Sequence, residues 1–443
     1  MAGFAAVDVG TSFLKAAIVD PDALTVSEVR RAPFPPFAEG LPALWREADP
    51  RAVLRAVEEL LAGFDRAEGL LLCGQMHGFV LVDGRGEAVS NYISWLDQRV
   101  TADEFADFAE RVTPAERAEL GNEFKPGIAL PLLWWLGRHG ALPEGATPVS
   151  IADYVAARLC GATPVMEPTQ AAAFGALRLG TLAWHGDAIG RLGLDALRWP
   201  EVHPPGSVAG RWRGVPCYAA AGDQQAALAG ALLAEGELSI NIGTGSQVAM
   251  LSATAKAGDL QVRPYFDGGF LRTVTHIPGG RALSALAALL AEIGGVREDE
   301  AWRHIVREVA SVSATDLRAG IAFYPGPSGA AGFLENLHEG NLRVGHVFRA
   351  AFESMARNYE ECARALTGRA MKGVVFSGGV ARRLPPVREL TAAALGLPWR
   401  LSPHGEDTLF GLMVLARAWS GRDASVRAAT ETVRAAIPAG PGE

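Results

Sequence analysis

Short apolar runs rich in Val, Ile and Leu recur along the chain at Phe4–Val9, Leu14–Val19, Leu70–Cys73, Val215–Ala221 and Lys372–Phe376, each closed by Gly, Asp or Ser-Gly. Runs of this length bounded by turn residues predict buried strands. Between them, apolar residues recur at three- and four-residue spacing over Arg51–Ala62, Asp187–Leu197, His346–Leu366 and Pro385–Leu395, which predicts amphipathic helices. In the longest, Phe348, Phe352, Met355, Tyr359, Cys362 and Leu366 form one stripe, read as core and not as a cofactor box. Strands alternating with helices indicate an α/β fold. At 443 residues the chain is too long for one ordinary core, so two domains are expected. Pro-rich stretches fall at Ala32–Pro50 and Trp199–Pro216, and the second places the boundary between residues 1–214 and 215–443. The last two dozen residues read as a surface helix followed by a frayed tail.

One internal repeat changes this picture. Asp8-Val9-Gly10-Thr11-Ser12 and Asn241-Ile242-Gly243-Thr244-Gly245-Ser246 each sit between two strand patterns, one near the start of each expected domain. That arrangement suggests a duplicated unit facing itself across a cleft. A tight Gly-Thr turn exposes successive backbone N–H groups suited to phosphate oxygens, and Asp8 beside it could hold Mg²⁺ through water. For a single turn, a plain hairpin with Asp8 paired to a neighbour is an equal reading; recurrence tips the balance to phosphate. Neither a P-loop nor a Rossmann fingerprint occurs. A third glycine turn, Phe376-Ser377-Gly378-Gly379-Val380-Ala381, joins a strand to a helix, where a ligand can approach the backbone closely or where the chain simply turns.

Three further stretches carry chemistry. Asp223, in Gly222-Asp223-Gln224-Gln225, starts a helix, either as its N-cap or as a general base for a substrate hydroxyl, with Gln224 able to bond the same polyol. His77, in Gly74-Gln75-Met76-His77-Gly78, either bonds a backbone carbonyl or serves sugar hydroxyls. Trp95 in Ser94-Trp95-Leu96-Asp97-Gln98-Arg99 is read first as core beside an Asp–Arg pair, second as an aromatic platform.

Charge and composition then narrow the class. Lys plus Arg number 41 against 49 Asp plus Glu, a net charge of −8 without a basic cluster, which disfavours nucleic acid. Only Lys15, Lys125, Lys256 and Lys372 are lysines, so a phosphate-handling lysine has few candidates. The longest apolar runs are too short to span a membrane, and the N-terminal one lacks a basic leader, so a soluble, unexported protein is expected. Cys73, Cys160, Cys217 and Cys362 lie far apart without a Cys-x-x-Cys pair, and the nine histidines are dispersed. Both facts argue against a disulfide framework or a transition-metal centre and for a reducing cytoplasm.

Taken together, Asp8–Ser12, Gly74–Gly78, Trp95–Arg99, Asp153-Tyr154-Val155, Gly222–Gln225, Gly243–Ser246, Gly378–Gly379 and Thr408-Leu409-Phe410-Gly411 resemble, in order and spacing, the FGGY family of carbohydrate kinases across nearly the whole chain. Pro205–Gly210, Pro264–Gly268 and Leu342–Val347 are most similar to its sedoheptulokinase branch, with the xylulokinase branch second. The resemblance implies two actin-like, ribonuclease H-like domains. It implies ATP and Mg²⁺ as cofactors and transfer of the γ-phosphoryl group to the terminal hydroxyl of a ketose, sedoheptulose first, with xylulose, another ketose or a polyol as alternatives. By the same resemblance Asp223 is the base, while Gln75, Met76, His77, Trp95, Asp223 and Gln224 line the sugar site. Gly10, Thr11, Ser12, Gly243, Thr244, Gly245, Gly280, Gly378 and Gly379 contact ATP, and Asp8 positions Mg²⁺. Arg383 stands where the family often has Asn; its guanidinium could stack on adenine or point to solvent. Sugar binding and the first phosphate turn then belong to 1–214, and the base, at the start of the domain, the second phosphate turn and the adenosine turn to 215–443. Small-molecule partners, no nucleic acid, no membrane and room for a homodimer complete the expectation. A sensor that kept the fold without turnover, or an actin-like polymer, are the readings from other classes.

Overall fold

A computed structural model describes residues 3–323, 329–366 and 371–437. The chain folds into two compact units. The first contains the chain up to Leu232, Ser252–Leu271 and Glu406–Ile437; the second contains Leu233–Leu251 and Arg272–Gly405.

In the first unit the strands run in the order Val208–Trp212, Val215–Tyr218, Leu70–Gly74, Phe4–Val9, Phe13–Asp20, Thr25–Pro33, and Ala221–Gly222 also pairs with Leu70–Gly74. Phe4–Val9 is antiparallel to Phe13–Asp20 and parallel to Leu70–Gly74, and every residue in it is buried. Its two faces feed different cores, because alternate side chains point to opposite sides. Ala5, Val7 and Val9 pack with Val53, Val57, Ile151 and Val155 of the helices Pro50–Leu60 and Ile151–Cys160. Phe4 and Ala6 pack with Ala226, Leu409 and Met413 of the helices Asp223–Gly230 and Asp407–Trp419. The first of these helices starts where the sequence signals it: Asp49 caps Arg51 N at 2.9 Å, and Pro50 occupies the first turn.

The second unit repeats the device. Glu237–Ile242 is antiparallel to Ser246–Ser252 and parallel to Gly373–Ser377, which continues to Trp399–Leu401. The helices Gly280–Gly294, Glu298–Ala310, Val344–Leu366 and Pro385–Leu395 complete it. The aromatic stripe of Val344–Leu366 is buried, as core.

Three expectations shift. Residues 214 and 215 lie inside the first unit, at the turn of the edge hairpin Val208–Trp212/Val215–Tyr218 with Trp212 opposite Val215. The Pro-rich stretch therefore leads into an edge hairpin; the chain leaves the first unit after Leu232. The helix expected over Asp187–Leu197 is the shorter Gly186–Arg191. The C-terminal helix Val426–Ala436 is not purely a surface element, since Val426, Ala429 and Val433 are buried; the tail from Pro438 lies outside the described residues.

Candidate active site

The first Gly-Thr turn closes the hairpin Phe4–Val9/Phe13–Asp20. Asp8 is 4% exposed, lies directly opposite Lys15 in the ladder, and accepts from Thr408 Oγ1 at 2.7 Å with Lys15 Nζ 3.6 Å away. Lys15 also reaches Glu406 at 2.9 Å. Pairing of Asp8 with a neighbour, one of the two readings of this turn, thus occurs, within an arrangement that still leaves a turn beside it. Gln75 Nε2 donates to Gly10 O at 3.2 Å, Thr11 Oγ1 donates to Gln75 Oε1 at 3.4 Å, and Trp95 Nε1 donates to Thr11 Oγ1 at 3.1 Å. Asp8, Gly10, Thr11, Ser12, Gln75 and Trp95 are therefore brought together. Asp97 and Arg99 instead form a buried ion pair, Nε and Nη2 each 2.8 Å from Asp97, with Glu47 at 2.6 Å, so this half of the motif is structural.

Met76, His77 and Asp223 leave the same edge of the sheet because Gly222 lies opposite Gly74 in parallel pairing, so both strands end there. Asp223 is the first residue of its helix and Gly222 the cap, which replaces the expected Asp cap; Asp223 Oδ1 accepts from Gln224 N at 2.7 Å. Burial, then repulsion from Asp8, pushes the Asp223 carboxyl up to about 7. Such a group can take up a proton near neutrality. The residue before it is tightly fitted: a Cβ on Gly222 would stand 2.5 Å from Gln225 Oε1 and 3.1 Å from Met76 Sδ, so both side chains would have to move. His77 adopts φ +77°, a conformation non-glycine residues rarely hold without local compensation. Its Nδ1 is 2.9 Å from Ala173 O, so the backbone-carbonyl reading of this histidine is observed. Burial lowers its pKa to about 4, which keeps the ring neutral.

Two residues absent from the sequence reading join this group. Arg263, buried on the strand Gln261–Pro264, donates Nε to Glu123 Oε2 at 2.7 Å and Nη2 to Glu123 Oε1 at 3.0 Å. The same guanidinium donates Nη1 to Gln224 Oε1 and lies with Nη2 3.3 Å from His77 Nε2. Burial alone would raise the Glu123 carboxyl, but Arg263, with His77 and Lys125 adding to it, holds the carboxyl below its ordinary range. The only local signal was Pro264–Gly268 immediately after Arg263; nothing in sequence points to Glu123.

In the second unit three glycine turns converge. Gly280 N donates to Gly243 O and Arg281 N to Thr244 O, each at 2.8 Å. A Cβ on Gly280 would lie 2.7 Å from Gly243 O and 2.8 Å from Val380 Cγ2; one on Gly279 would lie 2.7 Å from Ser246 Oγ. Gly378 takes φ +88°, and a Cβ there would meet Ile242 O at 2.6 Å. Asn241 Nδ2 donates to Ser377 Oγ at 2.9 Å, tying the first turn to the third. Gly243, Thr244, Gly245, Gly280, Gly378 and Gly379 are thus brought together on three turns that touch through backbone. Arg383 is exposed and donates Nε back to Gly379 O at 3.1 Å.

Residues 4–230 match the N-terminal domain, and residues 238–419 the C-terminal domain, of the FGGY family of carbohydrate kinases. The chain belongs to this family. It is 25% identical to the sedoheptulokinase of Homo sapiens over 93% of this chain and 96% of that protein. It is 27% identical to the xylulose kinase of Staphylococcus xylosus over 46% of this chain and 43% of that one. The xylulose kinase structure from Rhodospirillum rubrum superposes with a TM-score of 0.86 at 24% identity, covering 99% of this chain and 93% of that one, which shows the same two-domain α/β fold. As an FGGY carbohydrate kinase the protein is a phosphotransferase acting on a sugar hydroxyl, with ATP and Mg²⁺ as the family's cofactors.

The residues present fit that pair. Gly279, Gly280 and Gly378 let these turns pack backbone against backbone, while at Gly243, Gly245 and Gly379 a Cβ would meet no atom within 3.5 Å, so the backbone there stays open to a nucleotide's approach. Among the described residues no group of three or more His, Cys, Asp or Glu converges as a metal site. The buried Asp8 offers a hard-oxygen carboxylate, and Mg²⁺ is commonly held by one carboxylate, water and substrate phosphates. Among the described residues no helix is long and apolar enough to cross a membrane.

Proposed function

We propose that the protein transfers the γ-phosphoryl group of MgATP to the terminal hydroxyl of a ketose, sedoheptulose first, giving sedoheptulose 7-phosphate. Asp223 is the base in this reading, accepting the hydroxyl proton as the bond to phosphorus forms. The observation that carries it is the Asp223 carboxyl, half-buried and poised at about 7 where two parallel strands end, with Met76 against Gly222, Gln224 next in the chain and His77 linked to Gln224 through Arg263. Gln75 and Trp95 complete the sugar side through their bonds to the Gly10–Thr11 turn. Gly10, Thr11, Ser12, Gly243, Thr244 and Gly245 hold phosphates, Gly280, Gly378, Gly379 and Arg383 lie along the nucleoside, and Asp8 holds the metal. Mg²⁺ neutralises phosphate charge when bound; the chain itself orients the hydroxyl and takes its proton. The first unit thus serves the sugar and the first phosphate turn, together with the base, and the second unit serves the nucleotide.

The choice of sedoheptulose rests on the relative that spans 96% of its own length at 25% identity. A cytoplasmic location and a homodimer belong to the same reading. Coupled ADP release from MgATP across sedoheptulose, xylulose, ribulose, fructose and glycerol, ranked by kcat/KM, tests it. Preference for sedoheptulose supports the full proposal; preference for xylulose keeps the mechanism and moves the substrate; no sugar-dependent release overturns it. Asp223→Ala is expected to lower kcat by about three orders of magnitude or more while nucleotide still binds.

A further inference from the structure

We propose that the Glu123–Arg263 ion pair is a positioning device that sets the hydrogen-bond polarity of the sugar site, by occupying the acceptor atoms of both His77 and Gln224. The inference rests on the reading of the sugar site given above and names what orients its two polar side chains.

The argument follows from donors and acceptors. Ala173 O can only accept, so His77 Nδ1, 2.9 Å away, carries the ring proton. Nε2 is then the acceptor, and it faces a guanidinium nitrogen of Arg263, which can only donate, at 3.3 Å. The same logic fixes Gln224: Arg263 Nη1 donates to its Oε1, and a flipped amide would set N–H₂ against a guanidinium. Glu123 makes this affordable inside the protein, since its two oxygens take Nε and Nη2 and balance the buried charge. The charged groups facing His77 are Glu123, Arg263 and Lys125. They come from two separate chain segments, and Glu123 Oε1 itself lies 3.9 Å from His77 Nε2, beyond hydrogen-bond reach, so Arg263 is the group that meets this nitrogen.

The consequence concerns the reacting proton. A Gln224 carbonyl turned toward the sugar would stand next to Asp223 as a second acceptor for the hydroxyl proton, one unable to keep it. With Arg263 holding that carbonyl, the amide turns its N–H donors toward other partners, and Asp223 is the acceptor left at the start of the helix. A lysine could still neutralise Glu123 but lacks the planar fork that reaches Gln224 and His77 at once.

Wild-type sugar-dependent ADP release first tests the kinase reading by itself. Arg263→Lys, checked for folding by circular dichroism and melting, is then expected to raise sugar KM about tenfold or more and to leave ATP KM within about twofold. In the Gln224→Ala background Arg263→Lys should add much less than it does alone, because the two losses share one contact. An unchanged sugar KM in Arg263→Lys, an equal rise in ATP KM, or full additivity would overturn the proposal. Nitrogen NMR of ¹⁵N-histidine-labelled wild-type protein, with His77→Asn to assign the signal, tests it without any perturbed fold. A neutral ring protonated on Nδ1 at pH 6 supports it; protonation on Nε2, or an imidazolium, overturns it whatever the turnover assay shows.

Discussion

Burial and the neighbouring Asp8 push the Asp223 carboxyl up to about 7, far above the roughly 4 of an unfolded aspartate. Between those values the folded chain binds the proton that the unfolded chain has released, so stability falls as pH rises through this window and the whole penalty is present above pH 7. That penalty is at most about 4 kcal/mol. Asp223→Asn removes it, so its melting temperature should exceed that of the wild type at pH 8 and match it at pH 4; equal shifts at both would exclude an ionising Asp223 as the source. Glu167, also buried and pushed up to about 7 by burial, adds a slope of the same sign that the variant keeps. At this scale Asp223, Met76 and His77 were legible because each sits in a short run with its own turn signal. Glu123 and Arg263 were not: they are 140 residues apart, and neither segment carries a pattern that a charge pair requires.

Elements were read more securely than their packing. The two strand, Gly-Thr turn, strand units are visible in sequence because strand period and turn residues are local properties. How closely helices cross is not local. A Cβ on Gly411 would stand 1.8 Å from Ala226 O, and one on Gly230 would stand 1.9 Å from Asp407 O. The helices Asp223–Gly230 and Asp407–Trp419 therefore touch backbone to backbone, and this crossing seats the helix that begins with Asp223. Gly411→Ala cannot be accommodated by moving a side chain. It should cost about 1–3 kcal/mol in chemical denaturation and lower kcat more than it changes ATP KM. Wild-type stability in this variant would mean that the two helices separate freely. In sequence Gly411 looked only like the last letter of a motif.

At the scale of the whole molecule the chain twice returns to the first unit, with Ser252–Leu271 and with Glu406–Ile437. The first return carries Arg263 and the second carries Thr408 beside Asp8. Hydrogen exchange with single ligands should separate the two units. Sugar alone is expected to protect 70–80, 121–125 and 260–266, and ADP alone 241–247, 278–283 and 376–383. Protection of 260–266 by ADP alone, without sugar, would count against assigning Arg263 to the sugar. By itself the sequence determined the α/β class, the two Gly-Thr turns between strands, the short motif that singles out Asp223 as a candidate, and the lack of a basic cluster along the chain, since periodicity, turn chemistry and charge are written in neighbouring residues. Tertiary structure alone decided where the units divide, why Gly230 and Gly411 must be glycine, and that Glu123 and Arg263 bracket His77 and Gln224. Those facts depend on which distant segments share a buried volume, where an unpaired charge or an extra methyl is costly and only the folded chain brings its partner.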